Sequence, residues 1–239
     1  MNKDNLTNFI QKYYLGNRVP SVMIKSNGKD LSCDFITADK SMLGNVKATG
    51  LGFGNEVVGV YDTETFLKML SVMGDSIQLD VKKSGDKSVS ITFTDGVAKS
   101  LFMLSDESVI PKVPHMKNVP EMKLKLKIDR EFIQKFLLGK SALSEVDSCT
   151  VVCDNGSVNV VIGYSSIASN RVIIKTEVEE YSDVGNITFN AHVLKEILSA
   201  NKACESSVLE VSSEGLARIN FKIDEFDSTY YLVANQNDS

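Results

Sequence analysis

The sequence predicts an α+β protein of two duplicated domains, each with two helices packed on antiparallel sheets, so that one β-α-β-β-β unit appears four times. Three observations carry that reading. Residues 57–93 pass from an apolar strand through a capped amphipathic helix into alternating strands. Gly28 and Gly156, Asp62 and Asn190, and Gly85 and Ser213 are turn or cap residues each separated by 128 positions, a constant offset that marks an internal duplication. Between the halves, Pro111, Pro114 and Pro120 stiffen an extended stretch that cannot donate to a ladder at those positions.

The unit is clearest in its second occurrence. Val57-Val58-Gly59-Val60-Tyr61 is apolar and strand-like, and Asp62 can cap a helix whose first turn holds Glu64. Phe66, Leu67, Leu70 and Met73 recur at helical spacing, and Gly74-Asp75 stops the run. Ile77, Leu79 and Val81 then alternate, Ser84-Gly85-Asp86 turns the chain, and Val89, Ile91 and Phe93 alternate again.

Before it, residues 3–15 predict a helix with Leu6, Phe9, Ile10 and Tyr13 as its apolar stripe, ended by Gly16-Asn17. Val22-Met23-Ile24 is a short strand, and Asn27-Gly28 predicts a two-residue hairpin with Leu31, Cys33 and Phe35 returning. Weaker strands surround residues 46–50, and Gly50, Gly52 and Gly54 predict a flexible loop. A strand over 98–104 closes the first half.

The second half repeats this order. Leu124, Leu126 and Ile128 form a strand, Asp129 caps a helix carrying Phe132, Ile133, Phe136 and Leu137, and the helix fades near Gly139. Asn155-Gly156 joins residues 150–153 to 158–162 as a hairpin, and 171–178 reads as one strand. Asn190 caps a helix with Val193, Leu194, Ile197 and Leu198, and strands over 208–211, 217–221 and 229–234 finish the sheet. The expected domains are therefore 1–104 and 121–239, with 105–120 as connector.

Composition narrows the chemistry. With 43% hydrophobic and 24% charged residues, the chain reads as an ordinary globular protein. No apolar run is long enough to span a bilayer, and the first residues do not form a signal peptide, so the expected compartment is the cytoplasm with no membrane partner. A formal charge of −5 excludes a surface coated in cations but allows a basic face on an acidic body. Cys149 and Cys153 lack a second ligand pair, and His115 and His192 stand alone, so no metal site is expected.

Catalytic motifs fail on context. Gly139-Lys140-Ser141 ends like a phosphate-binding loop but sits at a helix end, with Gln134 where the upstream glycine belongs. The Gly50, Gly52, Gly54 spacing leads into a strand instead of opening a helix. Asp224, Glu225 and Asp227, like Glu177, Glu179 and Glu180, have no histidine or third acid at metal spacing. The expectation is a non-enzyme with no catalytic residues and no cofactor.

The architecture resembles DNA polymerase sliding clamps, and in particular the trimeric clamps of T-even-type tailed phages, in the same fold family as proliferating cell nuclear antigen. The residues that carry the likeness are Val60-Tyr61-Asp62 running into Phe66-Leu67-Lys68-Met69-Leu70-Ser71, and Tyr230-Tyr231-Leu232-Val233-Ala234. The connector and the residue 50–54 loop depart from the family. The resemblance implies a processivity factor: a head-to-tail homotrimeric ring, helices inside and sheets outside, that encircles duplex DNA without sequence preference. Its implied partners are a DNA polymerase, an ATP-dependent clamp loader and late-transcription factors, in a bacterial host's cytoplasm if the protein is viral. The alternative is a duplicated β-rich virion or structural protein with no DNA role.

Site residues follow. Lys12, Lys68, Lys135 and Lys195 lie off the apolar stripes of the four helices, with Arg130, Lys140 and Lys202 near helix ends. Any amphipathic helix carries lysines opposite its core, but here every helix offers one, as a sliding contact to phosphates would use. The resemblance places subunit contacts on the two terminal strands, with Ala98, Leu101 and Phe102 on one and Arg171, Ile173 and Lys175 on the other. It also implies a client-peptide groove formed by Met42 and Leu43 in a polar loop, Val46, Ile110 and Pro111 of the connector, and Leu232 and Ala234 of the closing strand.

Overall fold

The structure, a computed structural model, describes residues 1–165, 167 and 169–235. The chain divides into two compact units. The first comprises Met1–Ala38, Gly44–Pro114 and Asp224–Ser228; the second comprises Asp39–Leu43, His115–Ile223 and the chain from Thr229.

The first unit opens with α1 (Lys3–Tyr14), capped by Asn2, whose side chain accepts from the Asn5 amide, and ended by Leu15 in the left-handed region. Then follow β1 (Val22–Asn27), β2 (Leu31–Ile36), β3 (Met42–Ala48) and β4 (Asn55–Val60). Strands β3, β2, β1 and β4 lie side by side in that order. The predicted two-residue turn is present one residue later: Asn27 donates its amide to the Asp30 carbonyl, which leaves Gly28 and Lys29 at the tip, and the Asn27 side chain accepts from the Lys29 and Asp30 amides. Asparagine's short side chain thus takes the Asp30 amide in place of the backbone.

The glycine loop is pinned down. Gly52 donates to the Lys29 carbonyl at 2.8 Å, Phe53 donates to Ser26 Oγ, and Leu51 is buried. A Cβ on Gly52 would stand 2.6 Å from the Lys29 backbone, so close approach explains that glycine.

Helix α2 (Thr63–Ser71) begins at Asp62, which accepts from the Thr65 amide as its spacing predicted. Strands β5 (Gln78–Ser84), β6 (Lys87–Thr94) and β7 (Lys99–Met103) form an antiparallel sheet of their own, with β5 and β7 at its edges. Phe66 of α2 wedges between Phe93 and Phe102, its ring 5.2 and 4.9 Å from theirs in edge-on geometry. Helix α1 packs beside α2 and buries Leu6, Phe9, Ile10 and Tyr13.

The second unit contains β8 (Leu124–Asp129), α3 (Arg130–Ala142), β9 (Ser148–Asp154), β10 (Ser157–Ile162), β11 (Val172–Lys175), β12 (Val178–Glu180), β13 (Ile187–Asn190), α4 (Ala191–Ala200), β14 (Ser206–Val211), β15 (Leu216–Ile223) and β16 (Phe226–Val233). Asn155-Gly156 does make a two-residue turn, with φ of 47° and 84°.

The predicted strand over 171–178 is two. β11 is the edge of the β11-β10-β9-β13 sheet, whereas β12 pairs with β8 in the order β12-β8-β14-β15-β16. The switch falls at Glu177, whose carbonyl accepts from the Lys127 amide of β8 at 2.9 Å. Period-two alternation runs through the break, so the sequence could not mark it.

Helices α3 and α4 pack together. At the end of α4, buried Asn201 donates to the Ile197 carbonyl at 2.9 Å and to Tyr230 Oη at 3.1 Å. Gly139 lies inside α3, where a Cβ would meet Val172 Cγ1 at 2.9 Å; it lets the helix press on β11.

Candidate functional site

Two edge strands stand out, one in each unit. In β7, Leu104 donates its amide to the Val89 carbonyl at 2.9 Å, and Asp95 donates to the Ala98 carbonyl at 3.3 Å. Phe102 faces Ile91 and Ser100 faces Phe93 in the same ladder. Antiparallel alternation therefore turns the backbone groups of Ala98, Ser100, Phe102 and Leu104 toward β6, and those of Lys99, Leu101 and Met103 outward. Leu101 is 54% exposed and Met103 55%.

The edge at β11 is built alike. Thr176 donates to the Val158 carbonyl at 3.4 Å, and Ile174 and Val172 face Val160 and Ile162. Ile173 and Lys175 thus present their N–H and C=O groups outward, and Ile173 is 58% exposed. A cleft of about 510 Å³ runs beside this strand, lined by Lys127, Glu131, Phe132, Lys135, Ile174 and Glu177 among others.

Of the six expected contact residues, Leu101, Arg171, Ile173 and Lys175 are exposed, and Leu101, Ile173 and Lys175 turn outward along the edges. Phe102 points the other way, buried against Phe66 with Tyr61 stacked on it at 5.7 Å. Ala98 precedes the strand and hands its carbonyl to Asp95. Met103 was missed, although the alternation of Leu101, Phe102 and Met103 could have found it.

The expected phosphate contacts divide. Lys68, Arg130, Lys135 and Lys202 are exposed, and Lys195 is half-buried. Lys68 pairs with Glu64 one turn earlier, which raises its pKa through that hydrogen bond and charge, and Lys195 pairs with Glu196 at 3.1 Å. Lys12 and Lys140 are corrections. Lys12 is only 4% exposed, with Nζ 5.3 Å above the centre of the Phe226 ring. The buried sector of α1 is wider than its apolar stripe and takes Lys12 in with Tyr13. Lys140 is 2% exposed and donates to the Leu143 and Ser144 carbonyls that follow α3; burial pushes its pKa down. Both ammonium groups are spent on the fold.

The expected peptide groove also divides. Met42 lies in β3, not in a loop, and Met42, Val46, Ile110 and Leu232 are buried. Period-two burial along β3 places Met42 and Val46 on its core face. Leu43 and Ala234 are half-buried and Pro111 is exposed, while Val109 beside it is the connector's most open apolar side chain.

Among the described residues, no group of three or more His, Cys, Asp or Glu side chains could hold a metal ion. Cys149 is core: its thiol lies 3.6 Å from the Phe189 carbonyl, and burial pushes its pKa up to about 12. No helix among the described residues is long and apolar enough to cross a membrane.

No protein-family model matches the chain, and no curated protein matches it. Solved structures do. Proliferating cellular nuclear antigen from Entamoeba histolytica matches with a TM-score of 0.73 at 13% identity, covering 98% of this chain and 96% of that one. The A. fulgidus PCNA, solved with the C-terminal region of FEN-1 bound, matches with a TM-score of 0.74 at 15% identity over 100% and 98% of the two chains. A chain of the PCNA2–PCNA3 complex from Sulfolobus tokodaii matches with a TM-score of 0.68 at 13% identity over 98% and 97%. The chain thus has the two-domain α+β fold of the proliferating cell nuclear antigen structures along its whole length.

Proposed function

We propose that this chain is a sliding clamp: copies join head to tail into a homotrimeric ring around duplex DNA and tether a DNA polymerase. The observation that carries the reading is the pair of open edges. Strands β7 and β11 differ, so pairing one with the other is heterologous, and a heterologous contact closes into a ring when its rotation permits. An exposed apolar edge is otherwise a liability that proteins suppress. The fold likeness supports the same reading, since one of those structures is a PCNA2–PCNA3 complex and another is a PCNA with the C-terminal region of FEN-1 bound.

In the ring, Lys68, Arg130, Lys135, Lys195 and Lys202 supply weak, salt-dependent phosphate contacts, and topology, more than affinity, holds the DNA. The T-even-type phage clamps are the proposed relatives, with an ATP-dependent loader and late-transcription factors as further partners, in the cytoplasm. Client peptides dock on the segment after β7 through its exposed Val109 and Pro111.

The test is retention on DNA. Protein loaded onto nicked circular duplex should stay through a salt wash and be lost on linearisation. Reversing Lys68, Arg130 and Lys135 to Glu together should cut loading, most strongly at low salt where the contacts are least screened, and leave assembly intact. Equal retention on circular and linear DNA would overturn the clamp reading. Val109→Asp should weaken a polymerase-tail peptide without unfolding the chain, since Val109 is exposed.

A further inference from the structure

The internal duplication supplies a template for the contact between copies. Its offset of 128 positions carries β16 onto β7 and β3 onto β11. Burial agrees: Tyr230 and Phe102 are both buried aromatics, and Val46 and Ile174 are both buried aliphatics. Strands β3 and β16 are neighbours in one sheet, whereas β7 and β11 are edges. Each edge therefore lacks, among the described residues, the neighbour that its duplicate has.

The template also has a register. In the first unit, Thr49 after β3 donates its amide at 3.0 Å to the carbonyl of Glu225, just before β16. Antiparallel pairing then sets Asp227 opposite Lys47, an acid against a base. In the second unit, Val233 donates to the Ser41 carbonyl at 2.8 Å, a bond that keeps the same register.

Carried to the open edges, that register sets Leu101 opposite Ile173. Both turn their backbone groups outward, as directly opposite, hydrogen-bonded residues must, and both expose apolar side chains. The charge pair is not kept. Asp227 corresponds to Lys99 and Lys47 to Lys175, and both lysines are exposed. Lys99 faces Thr94 and Lys175 faces Asn159 across their own ladders, so neither meets an acid there. Glu177, the next outward-facing position after Lys175, is held by Lys127 at 2.7 Å.

We propose that assembly sets Lys99 of one copy against Lys175 of the next, so that the subunit contact is loosened by like charge and tightened by salt. Like charges directly opposite in a ladder destabilise it, and salt screens the repulsion between exposed ammonium groups. The dependence is opposite in sign to that of the phosphate contacts, which salt weakens. The inference rests on the clamp reading and adds a regulation of its contact: an apolar pair and main-chain bonds hold the ring, and its own lysines favour opening at low salt.

Sedimentation velocity from about 50 to about 500 mM potassium chloride tests the sign. The parent's trimer should tighten as salt rises. Lys175→Glu should tighten it by about fivefold per contact at low salt, the scale of one cross-strand charge pair, and should then weaken as salt rises. Lys99→Glu should do the same. Combining the two restores a like-charge pair and should return the association constant toward the parent's, which an effect of net charge alone would not do. Leu101→Cys with Ile173→Cys should oxidise to chains linked between copies, whereas Met103→Cys with Ile173→Cys lies too far apart in this register. A parent trimer that loosens with salt, a double charge variant tighter than either single one, or linkage only through the Met103 pair would overturn the proposal and leave the clamp reading standing. Monomers at every salt concentration would overturn both.

Discussion

Ile173→Pro separates the role of the β11 edge from its place in the fold. The Ile173 amide faces away from β10, so proline there removes no bond of the chain's own sheet. At Val172 the amide faces Ile162, and proline would break the ladder. In a paired edge, Ile173→Pro loses one inter-subunit hydrogen bond, about 1 kcal/mol net, and the ring's bulk costs about as much again in displaced contacts. At about 2 kcal/mol per contact, a trimer with three contacts loses about 6 kcal/mol, or about four orders of magnitude in its association constant. Sedimentation velocity at micromolar concentration should show trimers for the parent and monomers for Ile173→Pro, with the melting temperature little changed. Leu101→Pro on β7 should behave the same way, whereas Val172→Pro should lower the melting temperature itself. An Ile173→Pro protein that still sediments as a trimer would refute the edge-pairing argument.

Other expectations concern the fold. Asn201→Ala removes the donor to Ile197 and Tyr230 inside the second unit and should cost about 1–3 kcal/mol in denaturant unfolding, leaving a buried helix carbonyl short of a partner. Asp95 accepts from the Ala98, Gly74 and Val97 amides, which lowers its pKa from 3.8 to about 2. Because the folded value is the lower one, its contribution is present above about pH 4 and lost as pH falls toward 2. Asp95→Asn should flatten the melting temperature's dependence on pH across that window. Gly59→Ala would place a Cβ 2.3 Å from the Ser105 carbonyl oxygen and should break the bridge between β4 and Ser105, read as faster amide exchange at Ser105.

Much of the fold was legible locally. Among the described residues the α-helix caps Asn2, Asp62, Asp129 and Asn190 each sit immediately before an amphipathic segment, and three of them were read directly from that spacing. The Asn155-Gly156 turn is equally local, because both residues take positive φ at little cost. Leu101 and Ile173 were expected at subunit contacts only through the family resemblance, together with Ala98, Phe102, Arg171 and Lys175; the structure places Leu101 and Ile173 on edge strands.

What the sequence determined by itself was therefore the element order, the duplication and the α+β class, since caps, turns and hydrophobic periods act over a few residues. Tertiary structure alone decided which polar groups are spent inside. Lys12 looks like any surface lysine until Phe226, more than 200 positions away, is laid beneath it, and Lys140 until the carbonyls after α3 fold back on it. It also decided that 171–178 splits between two sheets, that Met42 lies in a buried strand, and that the backbone of Leu101 faces outward where that of Phe102 does not. Those outcomes depend on which strand lies alongside and in which register, and a one-residue shift in pairing reverses every such facing.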